Sequence, residues 1–284
     1  MSHIVVGVDG SPQADDALRW AVREAQIRST EIELVHVFVI EVHRAGFATP
    51  SRTLAERTLG AVIERNRDML ADVKWESSAV PVIGGSFSAP LVSAGEDADL
   101  VVVGSRGSGG FRRLLLGSTS YRTAGHAPCP VAVIRGRDGS EGQPIVVGID
   151  GSKTARRALR WALDEAALRG ADVIAVHAFL APPYHGPAPI EAEADLERRR
   201  VDTRREADEV VERVFAEVDV PAGVALDRAV VPGSPAGALL HHAGDVGRLV
   251  VVGSRGHGAL GRAFLGSVSH QVLHHAAGPV VVVP

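Results

Sequence analysis

IVVGVDGSPQADDALRWAVREA runs from Ile4 to Ala25, and IVVGIDGSKTARRALRWALDEA runs from Ile145 to Ala166. Each begins as a β-branched apolar run, turns through Asp-Gly-Ser, and continues at helical spacing. Ala17, Trp20, Ala21, Glu24 and Ala25 fall on one helix face, with Ser11 placed to cap the helix and Pro12 in its first turn. Trp20 and Trp161 read as packing residues on that face. A strand feeding a helix, written twice 141 positions apart, points to a duplicated α/β domain rather than a short-period solenoid.

The same offset holds at His36 in LVHV and His177 in AVHA. A histidine inside an apolar strand reads first as a satisfied core group. Further on, Gly253 stands 149 positions after Gly104, so the second copy has gained residues between. They fit best in APPYHGPAPIEAEAD, Ala181 to Asp195, a Pro- and Ala-rich loop entering a helix. RGRDGSEGQP, Arg135 to Pro144, reads as a linker. We place the first domain at residues 1–136, the linker at 137–143 and the second domain at 144–284.

Within the first copy, HIVVGV, EIELVHVFV, WESSAVPV, LVVVG and PVAVI read as strands, and WESSAVPV is the most polar. Helical segments stand between them, including one long amphipathic helix over SRTLAERTLGAVIERNRDMLADV. Five alternations predict a parallel sheet covered on both faces, with strands one, four and five central or at a covered edge. The fold class expected is two similar doubly wound α/β domains, each with a five-stranded parallel sheet.

Composition narrows the function. Net charge is −4, which supplies no global field for nucleic acid. No run of about 18 apolar residues suggests a membrane span, and the N-terminal residues lack signal-peptide order. A soluble cytoplasmic protein is the expectation. The single cysteine, Cys129, excludes an intramolecular disulfide and reads as an inert, partly buried thiol. Charges in Leu196–Arg213 mix signs along a solvated helix face. The neighbours His241 and His242, like His274 and His275, point about 100° apart on a helix, unsuited to one shared metal ion.

Ligands of open parallel sheets bind beyond the carboxyl ends of the strands. There the chain reads GSRGSGGFRRLLLGSTS (Gly104–Ser120) and GSRGHGALGRAFLGSVS (Gly253–Ser269). Gly104, Gly107 and Gly117 recur with the same gaps as Gly253, Gly256 and Gly266, although other segments have no recognisable twin. Glycines permit positive φ and close backbone approach to a ligand. The amides that follow, at a helix N-terminus, favour an anion. Ser118, Ser120, Ser267 and Ser269 bring hydroxyl donors, and Arg106, Arg113, Arg255 and Arg262 bring guanidinium forks. Asp9 and Asp150 end the first strand of each copy on the same edge. They are candidates to meet a nucleotide or its metal ion.

These motifs, with HAPCPVAVI closing the first copy, resemble the universal stress protein family, in a tandem form covering nearly the whole chain. The resemblance implies strand order 3-2-1-4-5 in each domain, pairing of domains through their last strands, and ATP at each site, two per chain; magnesium carried by the ATP is the candidate metal ion for Asp9 and Asp150. The first ATP would meet Gly7, Asp9 and Val37, then Gly104, Ser105, Arg106, Gly107, Ser108, Gly109, Gly110, Gly117, Ser118, Thr119 and Ser120. The second would meet Gly148, Asp150 and Ala178, then Gly253, Ser254, Arg255, Gly256, His257, Gly258, Ala259, Gly266, Ser267, Val268 and Ser269. Ala178 replaces a branched residue, and His-Gly-Ala replaces Ser-Gly-Gly, so the second loop is expected to be stiffer. The apolar last strand, PVVVVP, wants a partner along its edge, in the other domain or in a second chain forming a homodimer.

No P-loop ending in Lys-Ser/Thr is present, nor the Ser-Gly-Gly-x-Asp-Ser of adenylating synthetases, and no motif fixes a second carboxylate near the phosphates. The reading is therefore an ATP-binding regulatory protein with little or no hydrolysis and an unidentified signalling partner. A slow ATPase or phosphotransferase is the alternative, as is an interaction module with structural ATP.

Overall fold

The computed structural model describes residues 3–40, 50–83, 86–107, 115–136, 142–180, 190–256 and 265–284. In the first half β1 (His3–Gly7), α1 (Pro12–Arg28) and β2 (Glu31–Val39) follow the expected alternation, then α2 (Pro50–Arg65), α3 (Arg67–Leu70), β3 (Trp75–Val82), α4 (Ser88–Ala94), β4 (Leu100–Gly104), α5 (Ser118–His126) and β5 (Val131–Ile134). The second half repeats it as β6 (Ile145–Gly148), α6 (Lys153–Arg169), β7 (Val173–Phe179), α7 (Ile190–Phe215), β8 (Leu226–Pro232), α8 (Pro235–Ala243), β9 (Val250–Gly253), α9 (Ser267–His275) and β10 (Val280–Val283).

The expected long first-half helix is broken into α2 and α3 at Asn66, whose side-chain amide donates to the Val62 carbonyl and competes with the helical ladder. Its counterpart α7 runs unbroken for 26 residues.

One expectation is corrected. The ten strands form a single sheet, in the order β3-β2-β1-β4-β5-β10-β9-β6-β7-β8, not two separate five-stranded sheets. Each half keeps the order 3-2-1-4-5 with parallel pairing, and β5 meets β10 antiparallel, with Val133 opposite Val280, Ala132 opposite Val281 and Val131 opposite Val282. The reason is the edge problem. VAVI and VVVV are buried throughout, and an apolar edge with unpaired amides is costly unless another strand covers it. The pairing of the two halves through last strands therefore occurs within one chain. It also consumes the edges through which two chains were expected to join, since β10 lies between β5 and β9 and β5 between β4 and β10. The outer strands are the polar β3 and β8.

Alternate strand residues face opposite layers. Ile4, Val6, Leu100 and Val102 pack with Leu18, Leu59, Leu159 and Val211 beneath the first layer of helices. Val5, Val101 and Val103 pack with Leu91, Ala124, Leu239 and Val272 beneath the second. Trp20 is buried in the first layer, and Trp161 is partly buried against it. No described helix is long and apolar enough to cross a membrane.

Candidate functional site

β1 and β4 run parallel and side by side, so Gly7–Asp9 and Gly104–Gly107 leave the sheet at the same edge. β6 and β9 do the same for Gly148–Asp150 and Gly253–Gly256. Gly10 and Gly151, with φ of 80° and 82°, make the turn that follows each aspartate. That backbone region is open to glycine and strained for most other residues. The turn lets Asp9 Oδ1 accept from Ser11 N (3.0 Å) and Ser11 Oγ (2.6 Å), while Ser11 Oγ caps α1 by accepting from Ala14 N. Asp150 Oδ1 accepts from Ser152 N (2.9 Å), and Ser152 Oγ caps α6 in the same way. The glycine between the aspartate and the capping serine was the available signal for this turn.

The loop after each inner strand is pinched at its base. Gly117 N donates to Ser105 O (2.7 Å) and Gly266 N to Ser254 O (2.8 Å). Ser120 Oγ donates to Gly104 O and Ser269 Oγ to Gly253 O, both at 2.6 Å. These two hydroxyls were expected to point their protons at a ligand; the structure instead commits them to tying the following helix to the strand it left. Ser118 and Ser267 are exposed at the helix starts, with Thr119 and Val268 half-buried beside them. Ser105 and Ser254 are buried, and Ser254 Oγ has no hydrogen-bond partner among the described residues.

Positive φ, one reason expected for these glycines, is not what they supply. None of Gly104, Gly107, Gly117, Gly253, Gly256 and Gly266 has positive φ. At Gly104 an added Cβ would sit 2.6 Å from the Gln13 backbone carbonyl oxygen, so its bareness is demanded by the first turn of α1. At Gly253 it would meet Thr154 at 3.0 Å. At Gly107 and Gly256 it would run into the Asp9 and Asp150 carboxylates. Gly7 and Gly148 lie against Leu91 and Leu239. Gly117 differs: its Cβ would meet nothing nearer than 3.5 Å. It caps α5 in extended conformation with no side-chain bond to the first-turn amides, as Gly266 caps α9. By contrast α1, α6 and α8 start at Ser11, Ser152 and Ser234, each of which caps a backbone N–H.

Arg106 is exposed and Arg255 half-buried on their loops, while Val37 and Ala178 lie half-buried on β2 and β7, next to the strands that carry the aspartates. Ser108, Gly109, Gly110, Arg113, His257, Gly258, Ala259 and Arg262 lie outside the described residues. His36 Nδ1 pairs with Val8 O (2.7 Å) and His177 Nδ1 with Ile149 O (2.8 Å), the satisfied core role read from the sequence. Burial pushes the Cys129 thiol up to about 11, which keeps it protonated at neutral pH.

A doubled 3-2-1-4-5 sheet with paired glycine loops defines a class, and comparison with known proteins names it. The model of the "Universal stress protein family" matches residues 1–135 and again 142–284. A universal stress protein of Mycolicibacterium smegmatis is 35% identical over 294 residues, spanning 99% of this chain and 96% of that protein. One from Mycobacterium tuberculosis is 35% identical over 300 residues, spanning 98% and 96%. The crystal structure of a universal stress protein from Archaeoglobus fulgidus superposes with a TM-score of 0.63 at 20% identity, covering 99% of this chain and 95% of that one, a likeness of fold. The chain belongs to the universal stress protein family, in its tandem two-domain form.

Proposed function

We propose that this chain is a nucleotide-responsive regulatory protein that binds one ATP in each half and hydrolyses it slowly or not at all. The observation that carries the reading is the pair of helices, α5 and α9, that begin at bare glycines beside an aspartate-ended strand. Uncapped first-turn amides and the positive end of the helix dipole suit phosphate oxygens. The same loops carry Arg106 and Arg255, whose guanidinium groups suit the same anion. Asp9 and Asp150 stand at the cradle and are the carboxylates we assign to magnesium arriving with the triphosphate, a hard cation that takes few protein oxygens and keeps phosphate and water ligands. Adenine is assigned to the side of Val37 and Ala178 by the family resemblance. Ser120 and Ser269 enter this reading as braces of the cradle rather than as phosphate donors.

Mass spectrometry of nucleotide released from the purified, denatured chain tests the reading. Two adenine nucleotides per chain are expected, and one from Gly117→Asp. That aspartate caps α5 with its own carboxylate, which satisfies the helix, repels phosphate and spares the packing. Two nucleotides retained by Gly117→Asp would remove the first site from α5. Turnover of labelled ATP above roughly 1 s⁻¹, the range of working enzymes, would replace the binding-only reading with an ATPase.

A further inference from the structure

α1 packs on β5 and α6 on β10, and the two helices touch each other across the junction of the halves. Glu24 of α1 and Glu165 of α6 are both fully withdrawn from water there. Arg28 bonds Glu24 on its own helix through Nε and reaches across to Glu165. Arg169 mirrors it, bonding Glu165 through Nε and crossing to Glu24. Each guanidinium also lies over the tryptophan of the opposite half, Arg28 at 5.6 Å from the Trp161 ring centre and Arg169 at 5.5 Å from that of Trp20. The arginine side chains keep 19% and 13% exposure, so the cations reach water and the carboxylates do not. Two like charges thus share one dry site, where desolvation and mutual repulsion work against the doubly ionised state.

We propose that the Glu24–Arg28–Glu165–Arg169 quartet is a proton-operated clamp between the two halves, tightened by uptake of one proton from solvent and loosened when that proton leaves. The Glu24 carboxyl is pushed up from 4.5 to about 7, first by burial and next by Glu165, against the lowering effect of Arg169 and Arg28. Those three are the charged groups that act on it: Arg28 from its own helix, and Glu165 and Arg169 from α6. Beneath them β5 and β10 contribute Ala132, Ile134, Val281 and Val283 to the same core layer, all apolar. The direction follows from linkage. A carboxyl whose value is raised by the closed junction binds its proton there more readily than in the open chain. The stabilisation is therefore fully present below pH 4.5 and is lost as pH rises through about 7. Acid tightens the junction and alkali relaxes it.

The test uses the full chain with Trp75→Phe, so that emission comes from Trp20 and Trp161. Emission is expected to titrate with a midpoint at about pH 7, and to lose that transition when Glu24→Gln is added. Thermal unfolding gives the second readout. Glu24→Gln holds the neutral form in place, so it should match the parent in acid and unfold several degrees above it at a pH above the transition. Emission that stays flat through neutrality, or a Glu24→Gln chain less stable than its parent in alkali, overturns the clamp. Should Glu24→Gln fail to fold, carbon-13 spectra of the parent's glutamate carboxyls decide. One carboxyl titrating at about 7 supports the clamp, and all titrating at about the ordinary 4.3 overturn it.

Discussion

The two halves build the same loop frame, and one of the side chains that differ between them changes how the loop is held. In the second half Thr154 Oγ1 donates to the Arg255 carbonyl, stitching the first turn of α6 to the loop after β9. The first half has Gln13 at the matching position, and there the backbone itself closes in, with Gln13 O 2.6 Å from where a Gly104 Cβ would stand. Main chain approaches both glycines, more closely at Gly104 than at Gly253, and only the second loop is also tied by a hydroxyl. The glycine spacing is identical in both, so the spacing reports a shared frame and the second residue after the capping serine sets how each loop is held.

Three measurements would break or sharpen that comparison. The largest effect is expected at Gly104. Gly104→Ala forces a methyl into main chain and should cost about 3 kcal/mol, the upper part of the overpacking range, whereas Gly253→Ala meets Thr154 at 3.0 Å and should cost about 1 kcal/mol. Equal losses in urea unfolding would show that the two helix approaches do not differ. Next come Ser120→Ala and Ser269→Ala, which each leave a strand-end carbonyl without its 2.6 Å partner and should cost about 1–2 kcal/mol, alike in both halves. A loss in one half only would mean that the shared frame is not shared. The smallest is Thr154→Val, expected at about 1 kcal/mol or less. By calorimetry it should weaken nucleotide binding in the second half alone. Weakening of both sites would mean that the stitch serves the whole sheet rather than its own loop.

Much of the frame was readable along the chain. The apolar runs marked the strands, the Ser11 cap marked the start of α1 and the polar character of β3 set that strand apart, because burial of a strand leaves its mark on every residue of it; the order of the strands came from the family resemblance. The site was readable in part. Gly117 and Gly266 are the bare caps that the motif suggested, yet Gly104 and Gly253 are bare for the sake of α1 and α6, whose contacting residues Gln13 and Thr154 stand 91 and 99 positions earlier in the sequence. Ser120 and Ser269 look like ligand donors in a string of letters and are braces in space. Glu24 fell on the same helix face as Ala17, Trp20, Ala21 and Ala25, and only the fold showed that Arg169 of α6 reaches it there.

The sequence by itself determined that this protein is one α/β unit written twice, with a glycine-capped loop in each copy, since periodicity, capping and spacing act over a few residues. Tertiary structure alone decided that the copies share one sheet and that Glu24, Arg28, Glu165 and Arg169 meet at the seam. Those outcomes depend on which apolar edge finds which, and on what removes a carboxylate from water, and both are settled by parts of the chain more than a hundred residues apart.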